Sequence, residues 1–206
     1  MEILKKTMVV AVIMLSAFFT KAQNQSELQK AFSDSYTHEY NKKYTEAIAT
    51  LTKLYDADSY EINLRLGWLY YENKNYTQSQ NFYQLAVKQK PYALEARLGL
   101  VKPYVALESW DKVLQQYDDI IKIDPQNYTA NYWYGVIQYN RKKYEAASKS
   151  FEKIVNLYPF DYDATHMLAW TYLNVGKNND AKILFGKGLL MRPQDPSCLE
   201  GLSRLK

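Results

Sequence analysis

The sequence predicts an all-α fold, a solenoid of about five helix–turn–helix repeats closed by a C-terminal capping helix. Three observations predict it. Pro91, Pro125, Pro159 and Pro193 recur at a spacing of 34 residues, a period that belongs to stacked helix-pair repeats. Tyr83, Tyr117, Phe151 and Phe185 recur in phase with them, one large ring ahead of each proline. Glycine and proline are otherwise few, with 7 Gly and 6 Pro in 206 residues, so long disordered stretches are not expected. A chain of this length, 47% hydrophobic, can bury a sizeable core.

The elements follow in chain order. Residues 1–22 have the pattern of a secretory signal peptide. Lys5 and Lys6 open it, Met8 to Phe19 is apolar apart from Ser16, and Thr20-Lys21-Ala22 offers the small residues of a cleavage site after Ala22. The apolar run is shorter than the ~20 residues that span a bilayer. The expected location is therefore periplasmic or secreted, with an uncleaved inner-membrane anchor as the alternative. No cysteine follows the apolar run to take a lipid, since Cys198 is the only one. A lone cysteine forms no internal disulfide, and it is expected to act as a small hydrophobe in the last helix. The net charge of +4 falls to +2 without residues 1–22, which hold three lysines against one glutamate. Neither value suits a nucleic-acid partner.

Residues 23–206 are assigned to the repeats. A degenerate first unit is placed at 28–59, its first helix from about Ser26 to Asn41. It is identified by Tyr44-Thr45-Glu46-Ala47, which matches Tyr144-Glu145-Ala146-Ala147 at the start of a second helix. Full repeats follow at 60–93, 94–127, 128–161 and 162–195. Repeat two carries Leu66, Gly67, Tyr70, Tyr83, Ala86 and Pro91, and repeat three carries Leu100, Tyr104, Tyr117 and Pro125. Repeat four carries Gly135, Ala147, Phe151 and Pro159, and repeat five Leu168, Ala169, Tyr172, Ala181, Phe185 and Pro193. The small residues mark close helix crossings. The rings fill space between layers, and each proline ends a second helix. Residues 196–206 close the chain as an amphipathic cap, with Leu199, Leu202 and Leu205 on one face and Pro196 at its start. Pro103 interrupts the first helix of repeat three, and Gly99, four residues earlier, eases the bend it imposes.

This pattern resembles the tetratricopeptide repeat family, in which a 34-residue unit has a large residue at position 4, Leu at 7, small residues at 8, 20 and 27, aromatics at 11 and 24, and Pro at 32. The resemblance implies a right-handed solenoid whose first helices line a concave, ligand-holding face. Carried over by position, the groove residues are Phe32 and Tyr36, then Trp68 and Tyr71, Lys102, then Tyr132, Tyr139 and Asn140, and finally His166 and Trp170. Such an aromatic face suits an extended protein or peptide partner, or alternatively a glycan or cell-wall polymer stacked on the rings. The family's Lys–Asn clamp for a chaperone C-terminus is not matched, because Phe32, Tyr36, Leu64 and Trp68 occupy its positions.

No catalytic arrangement stands out, and a non-enzymatic scaffold is expected. His38 and His166 are too few for an imidazole-based metal site without carboxylate help. No phosphate loop or nucleophile elbow is present, and no cofactor or metal is indicated. Asp161 and Asp163 fall where helix N-caps belong. Asn24, Asn75 and Asn127 open Asn-x-Ser/Thr sequons, which count only in a eukaryotic secretory route. Lys42, Lys43, Lys74, Lys142, Lys143 and Lys177 fall in the turns between paired helices, interrupted in repeat three by Glu108 and Ser109. They are expected as solvated turns, or as a basic edge for peripheral contact with the cell envelope. The ends of a short solenoid also leave room for self-association.

Overall fold

A computed structural model describes residues 25–205, and all regular structure among them is helical. The expected signal segment, residues 1–22, and the Asn24 sequon lie outside the described residues. The described chain falls into two compact units, the first ending at Leu107 and the second beginning at Glu108. This boundary separates the two helices of the repeat at 94–127.

The first unit holds α1 (residues 25–40), α2 (Tyr44–Thr52), α3 (Tyr60–Glu72), α4 (Tyr76–Gln89) and α5 (Leu94–Ala106). Ala31, Ala47, Ile48, Leu51, Ile62, Leu66 and Leu69 form its main core. Tyr83 of α4 is clamped at both ends of its ring. A Cβ on Gly67 would sit 2.8 Å from its Cγ, and one on Gly99 would sit 2.2 Å from its Cε1. Gly99 is therefore small because α4 presses a ring against it, a role beyond the easing of a bend that the sequence suggested. α5 itself runs to Ala106 with Pro103 buried inside it.

The second unit holds α6 (Trp110–Ile123), α7 (Tyr128–Asn140), α8 (Tyr144–Leu157), α9 (Tyr162–Asn174), α10 (Asn178–Met191) and α11 (Pro196–Ser203). Phe151 packs with Ala147 and Leu168 and lies 2.8 Å from where a Cβ on Gly135 would stand. Phe185 packs with Ala169, Ala181 and Cys198, and a Cβ on Gly201 would fall 2.2 Å from its Cζ. Gly201 thus meets Phe185 as Gly99 meets Tyr83. α11 takes the place of a further first helix, which is how eight residues cover the end of the last repeat.

Local chemistry sets the helix ends. Side chains of Ser59, Asn75, Asn127, Asp161 and Asp195 accept an N–H from the first turn of α3, α4, α7, α9 and α11, as N-caps do. α4, α6, α8 and α10 end two residues before Pro91, Pro125, Pro159 and Pro193. The turn inside each helix pair needs a left-handed residue. Lys42, Lys74 and Lys142 supply it at φ 59°, Glu108 at 53° and Gly176 at 79°. The amide of the following residue then reaches back to close a Schellman turn, as in Asn75 N–H to Tyr70 O (2.8 Å) and Lys143 N–H to Gln138 O (2.9 Å). The turn lysines thus occupy a strained backbone position as well as carrying charge.

Position 4 of the repeat departs from the family pattern in a systematic way. Asn63 Nδ2 donates to the carbonyls of Ala57 and Ser59, each at 2.9 Å. In the second unit Asn131 Nδ2 donates to Pro125 O (3.1 Å) and Asn127 O (2.8 Å). Arg97 reaches Pro91 O at 3.1 Å through Nε and Nη2. These polar side chains bond the carbonyls of the preceding turn and so tie that turn to the start of the first helix. Thr165 has the same position, is fully buried, and its Oγ1 has no partner.

Candidate functional site

Each unit carries its own cleft. In the first, α1 contributes Phe32 and Tyr36, α3 contributes Leu64 and Trp68, and α5 contributes Leu98 and Lys102. Each pair is spaced i, i+4 and so lies on one face of its helix. The cleft between them measures about 670 Å³.

Its electrostatics follow from which charges are paired. Arg65 is 7% exposed. Its Nη1 lies 2.6 Å from Glu39 Oε2, and its Nε donates to Ser35 Oγ at 3.2 Å. Its guanidinium carbon stands 3.9 Å from the centre of the Tyr36 ring. Nη2 of Arg65 is buried without a hydrogen-bond partner. The other oxygen of Glu39 accepts the indole N–H of Trp68, so one carboxylate fixes both an arginine and a tryptophan of α3 to α1. Lys90 pairs with Glu61 at 3.1 Å, and Tyr60 donates to Glu95 at 2.6 Å. Burial, reinforced by that bond, holds the Tyr60 phenol well above its usual range. Lys102 differs. Its ammonium lies 5.4 Å from the Trp68 ring and 5.7 Å from the Tyr71 ring, and no carboxylate among the described residues pairs with it.

The second unit's cleft measures about 390 Å³ and is lined by Tyr139, His166, Met167, Trp170, Asn174 and Arg204. His166, Trp170 and Asn174 recur at i, i+4 and i+8 along one face of α9. The Trp170 indole N–H lies 3.0 Å from Ser197 Oγ and 3.1 Å from His166 Nε2. Asn174 Nδ2 donates to the Tyr139 hydroxyl at 3.2 Å, and the Arg204 guanidinium stands 5.0 Å from the Trp170 ring. Desolvation lowers the His166 pKa, so the imidazole favours its neutral form.

The ten residues expected from position therefore separate. Phe32, Tyr36, Trp68 and Lys102 meet in the first cleft, with Tyr71 joined through Lys102. Tyr139, His166 and Trp170 meet in the second. Tyr132 packs inward, edge-on to Phe151 at 6.0 Å and stacked on Tyr128 at 6.0 Å. Asn140 is exposed at the end of α7 and lines neither cleft. Positional carry-over missed Glu39, Arg65 and Glu95. A visible signal was Arg65 itself, a charged residue set in the apolar face of α3. Its partner Glu39 lies in the degenerate repeat, where position carries least information. Cys198 is buried and its thiol is pushed up to about 11, chiefly by burial, so it is no activated nucleophile.

Comparison with known proteins places this geometry in a family. Models of the tetratricopeptide repeat match residues 36–93 and 98–162, and a further one matches 150–183. No curated protein matches the chain by sequence. Among solved structures, a tetratricopeptide repeat protein from Parabacteroides merdae is similar with a TM-score of 0.72 at 17% identity, covering 87% of this chain and 72% of that one. MamA gives a TM-score of 0.70 at 16% identity over 81% of this chain and 92% of its own. YrrB, described as a TPR protein with an unusual peptide-binding site, gives 0.69 at 17% identity over 90% and 97%. With the repeat models covering more than half of its length, and with helix pairs set at the same period, this chain belongs to the tetratricopeptide repeat family.

Proposed function

We propose that this protein is a non-catalytic scaffold that holds an extended peptide segment of a partner protein in the aromatic cleft of its first unit. The observation that carries this reading is Lys102. Its ammonium rests over two rings without an anion, while Arg65 and Lys90 on the same wall are paired. An exposed cation beside an aromatic wall, with no carboxylate partner among the described residues, favours an acidic side chain from a ligand. Phe32, Leu64 and Leu98 offer the apolar contact for its neighbours. The family's role as interaction scaffolds supports the reading, as does the peptide-binding site named for the structurally similar YrrB. The proposed place of action is the cell envelope, periplasmic or secreted, on the strength of the pattern in residues 1–22.

A second reading, a glycan- or wall-binding module, draws on the other cleft. Directional hydrogen-bonding groups (Ser197, His166, Asn174, Tyr139) stand around the Trp170 ring there, as a stacked sugar requires.

The test is fluorescence polarisation against two peptide libraries of equal length. One combines Glu with apolar residues and the other replaces Glu with Lys. The acidic library should bind, Trp68→Ala and Lys102→Glu should abolish binding, and Trp170→Ala should leave it intact. Equal binding of both libraries, or binding unchanged in a folded Lys102→Glu variant, would defeat the peptide reading. Retention on soluble cell-wall fragments, lost only in Trp170→Ala, would establish the glycan reading in its place.

A further inference from the structure

A cluster of possible ligand atoms outside the peptide cleft joins two helices of the second unit. His166 of α9, Asp195 at the N-cap of α11 and Cys198 in its first turn each bring one such atom, and these lie within 4.8 Å of one another. The set mixes imidazole nitrogen, carboxylate oxygen and sulfur, the donors that bind zinc. The sequence had counted the histidines as too few for a metal without carboxylate help. The fold brings that help from 29 residues away, together with the only thiol.

We propose that His166, Asp195 and Cys198 form a binding site for a thiophilic divalent cation, of which zinc is the type. The surroundings already orient the donors. Asp195 is fixed by accepting the Cys198 N–H at 2.8 Å. The His166 ring stacks on Tyr162 at 5.5 Å, and its Nε2 lies 2.7 Å from Ser197 Oγ. Trp170 Nε1–H donates to the same Ser197 oxygen at 3.0 Å. Such outer contacts are what hold the ligands of a metal centre in place. The nearby cation, Arg192, is engaged elsewhere. It stacks on Tyr162 at 3.6 Å and reaches Asp163 at 3.5 Å.

The donors must draw together for this to happen. Zinc bonds of about 2.0 Å to nitrogen and 2.3 Å to sulfur place tetrahedral ligands roughly 3.5 Å apart. His166 is half-buried and borders the open cleft, and a small rotation of its ring within the stack on Tyr162 closes the remaining distance. On binding, the Cys198 S–H bond breaks, the sulfur lone pair forms the metal bond, and the proton leaves to solvent. A fourth position is left for water. The ion would add a tie between the eight-residue α11 and α9 to the packing and the Ser197 hydrogen bonds that already join them.

Cobalt(II) is the probe, added to the full chain under a thiol-free reductant. The expected result is one equivalent bound, with a sulfur-to-cobalt absorption band in the near ultraviolet, visible bands of tetrahedral cobalt, and displacement of both by zinc. Asp195→Asn keeps an N-cap side chain and loses only the anionic ligand. His166→Gln alters a half-buried position. Each should weaken cobalt binding at least tenfold while the helical circular dichroism stays unchanged. Absence of the sulfur band at millimolar cobalt would overturn the proposal. So would a band of equal affinity in both folded variants, since that would mean a thiol acting alone.

Discussion

Replacing Gly99 by Ala tests the packing of the first unit most directly. An alanine Cβ there would lie 2.2 Å from Cε1, 2.7 Å from Cζ and 2.8 Å from Cδ1 of Tyr83. Carbon atoms in contact prefer about 3.5–4.0 Å, so the ring must move by more than an ångström. It has little room to do so. Tyr83 is 3% exposed, and its other end lies against Gly67, where a built Cβ would be 2.8 Å away. An overlap as deep as 2.2 Å lies at the upper end of overpacking costs, ~2–3 kcal/mol. The better helix propensity of Ala offsets about 1 kcal/mol of that. The expected net loss is ~1–2 kcal/mol, a fall in Tm of roughly 2–8 °C for a chain of this size, read by circular dichroism. The cause is isolated by a double-mutant cycle with Tyr83→Leu, which removes the ring. The two changes should combine to at least ~1 kcal/mol less than the sum of their separate costs. A Gly99→Ala protein that melts at or above the wild type, or a strictly additive cycle, would refute the clamp. Coupling to Pro103→Ala in its place would return Gly99 to the role of easing a proline bend.

Four further outcomes are expected. Gly135→Leu should lower stability by ~1–3 kcal/mol, because Phe151 stands 2.8 Å from the added Cβ; an unchanged melting temperature would show that this crossing is not close. Thr165→Asn should raise stability by about 1 kcal/mol by giving the turn before α9 the carbonyl seal that Asn131 gives the turn before α7, and a fall in the denaturant midpoint would show that the buried pocket is too small. Lys142→Gly should stabilise by about 0.5–1 kcal/mol, since a non-glycine residue at φ 59° carries a left-handed penalty, whereas Gly176→Ala should destabilise by a similar amount; equal shifts of one sign would contradict the turn assignment. At high pH, burial of the Tyr117 phenol raises its folded pKa from about 10 to about 12. Its contribution is whole below pH 10 and is lost as pH rises through 12, because the unfolded chain releases the proton first. Tyr117→Phe should flatten that part of the alkaline stability curve, and an unaltered curve would rule the group out.

The fold was legible because its period is written in residue types that act locally. A proline ends a helix wherever it stands, and Pro91, Pro125, Pro159 and Pro193 mark the ends of α4, α6, α8 and α10. Asp161 caps α9 from its own side chain. Small residues at Gly67 and Gly135 mark crossings because a missing side chain is needed there by any neighbour. The clefts were half legible. Position along a helix places Trp68 and Lys102 on the faces that line a cleft, yet it equally nominated Tyr132, which α8 draws inward through Phe151.

What the amino-acid sequence by itself determined is thus everything carried by short-range chemistry and a fixed repeat: the all-α class, the helix register and the family. Only the tertiary structure decided which charges remain unpaired. Glu39 neutralises Arg65 across the gap between α1 and α3, whereas Lys102 stands over the Trp68 and Tyr71 rings with no carboxylate partner among the described residues. Only the tertiary structure set Gly99 against Tyr83, and His166 beside Asp195 and Cys198. The reason is physical: a side chain's helix propensity belongs to its own stretch of chain, whereas its partner is chosen by packing between helices distant in sequence. A repeat fixes that packing on average, and each residue that departs from the repeat redefines it locally.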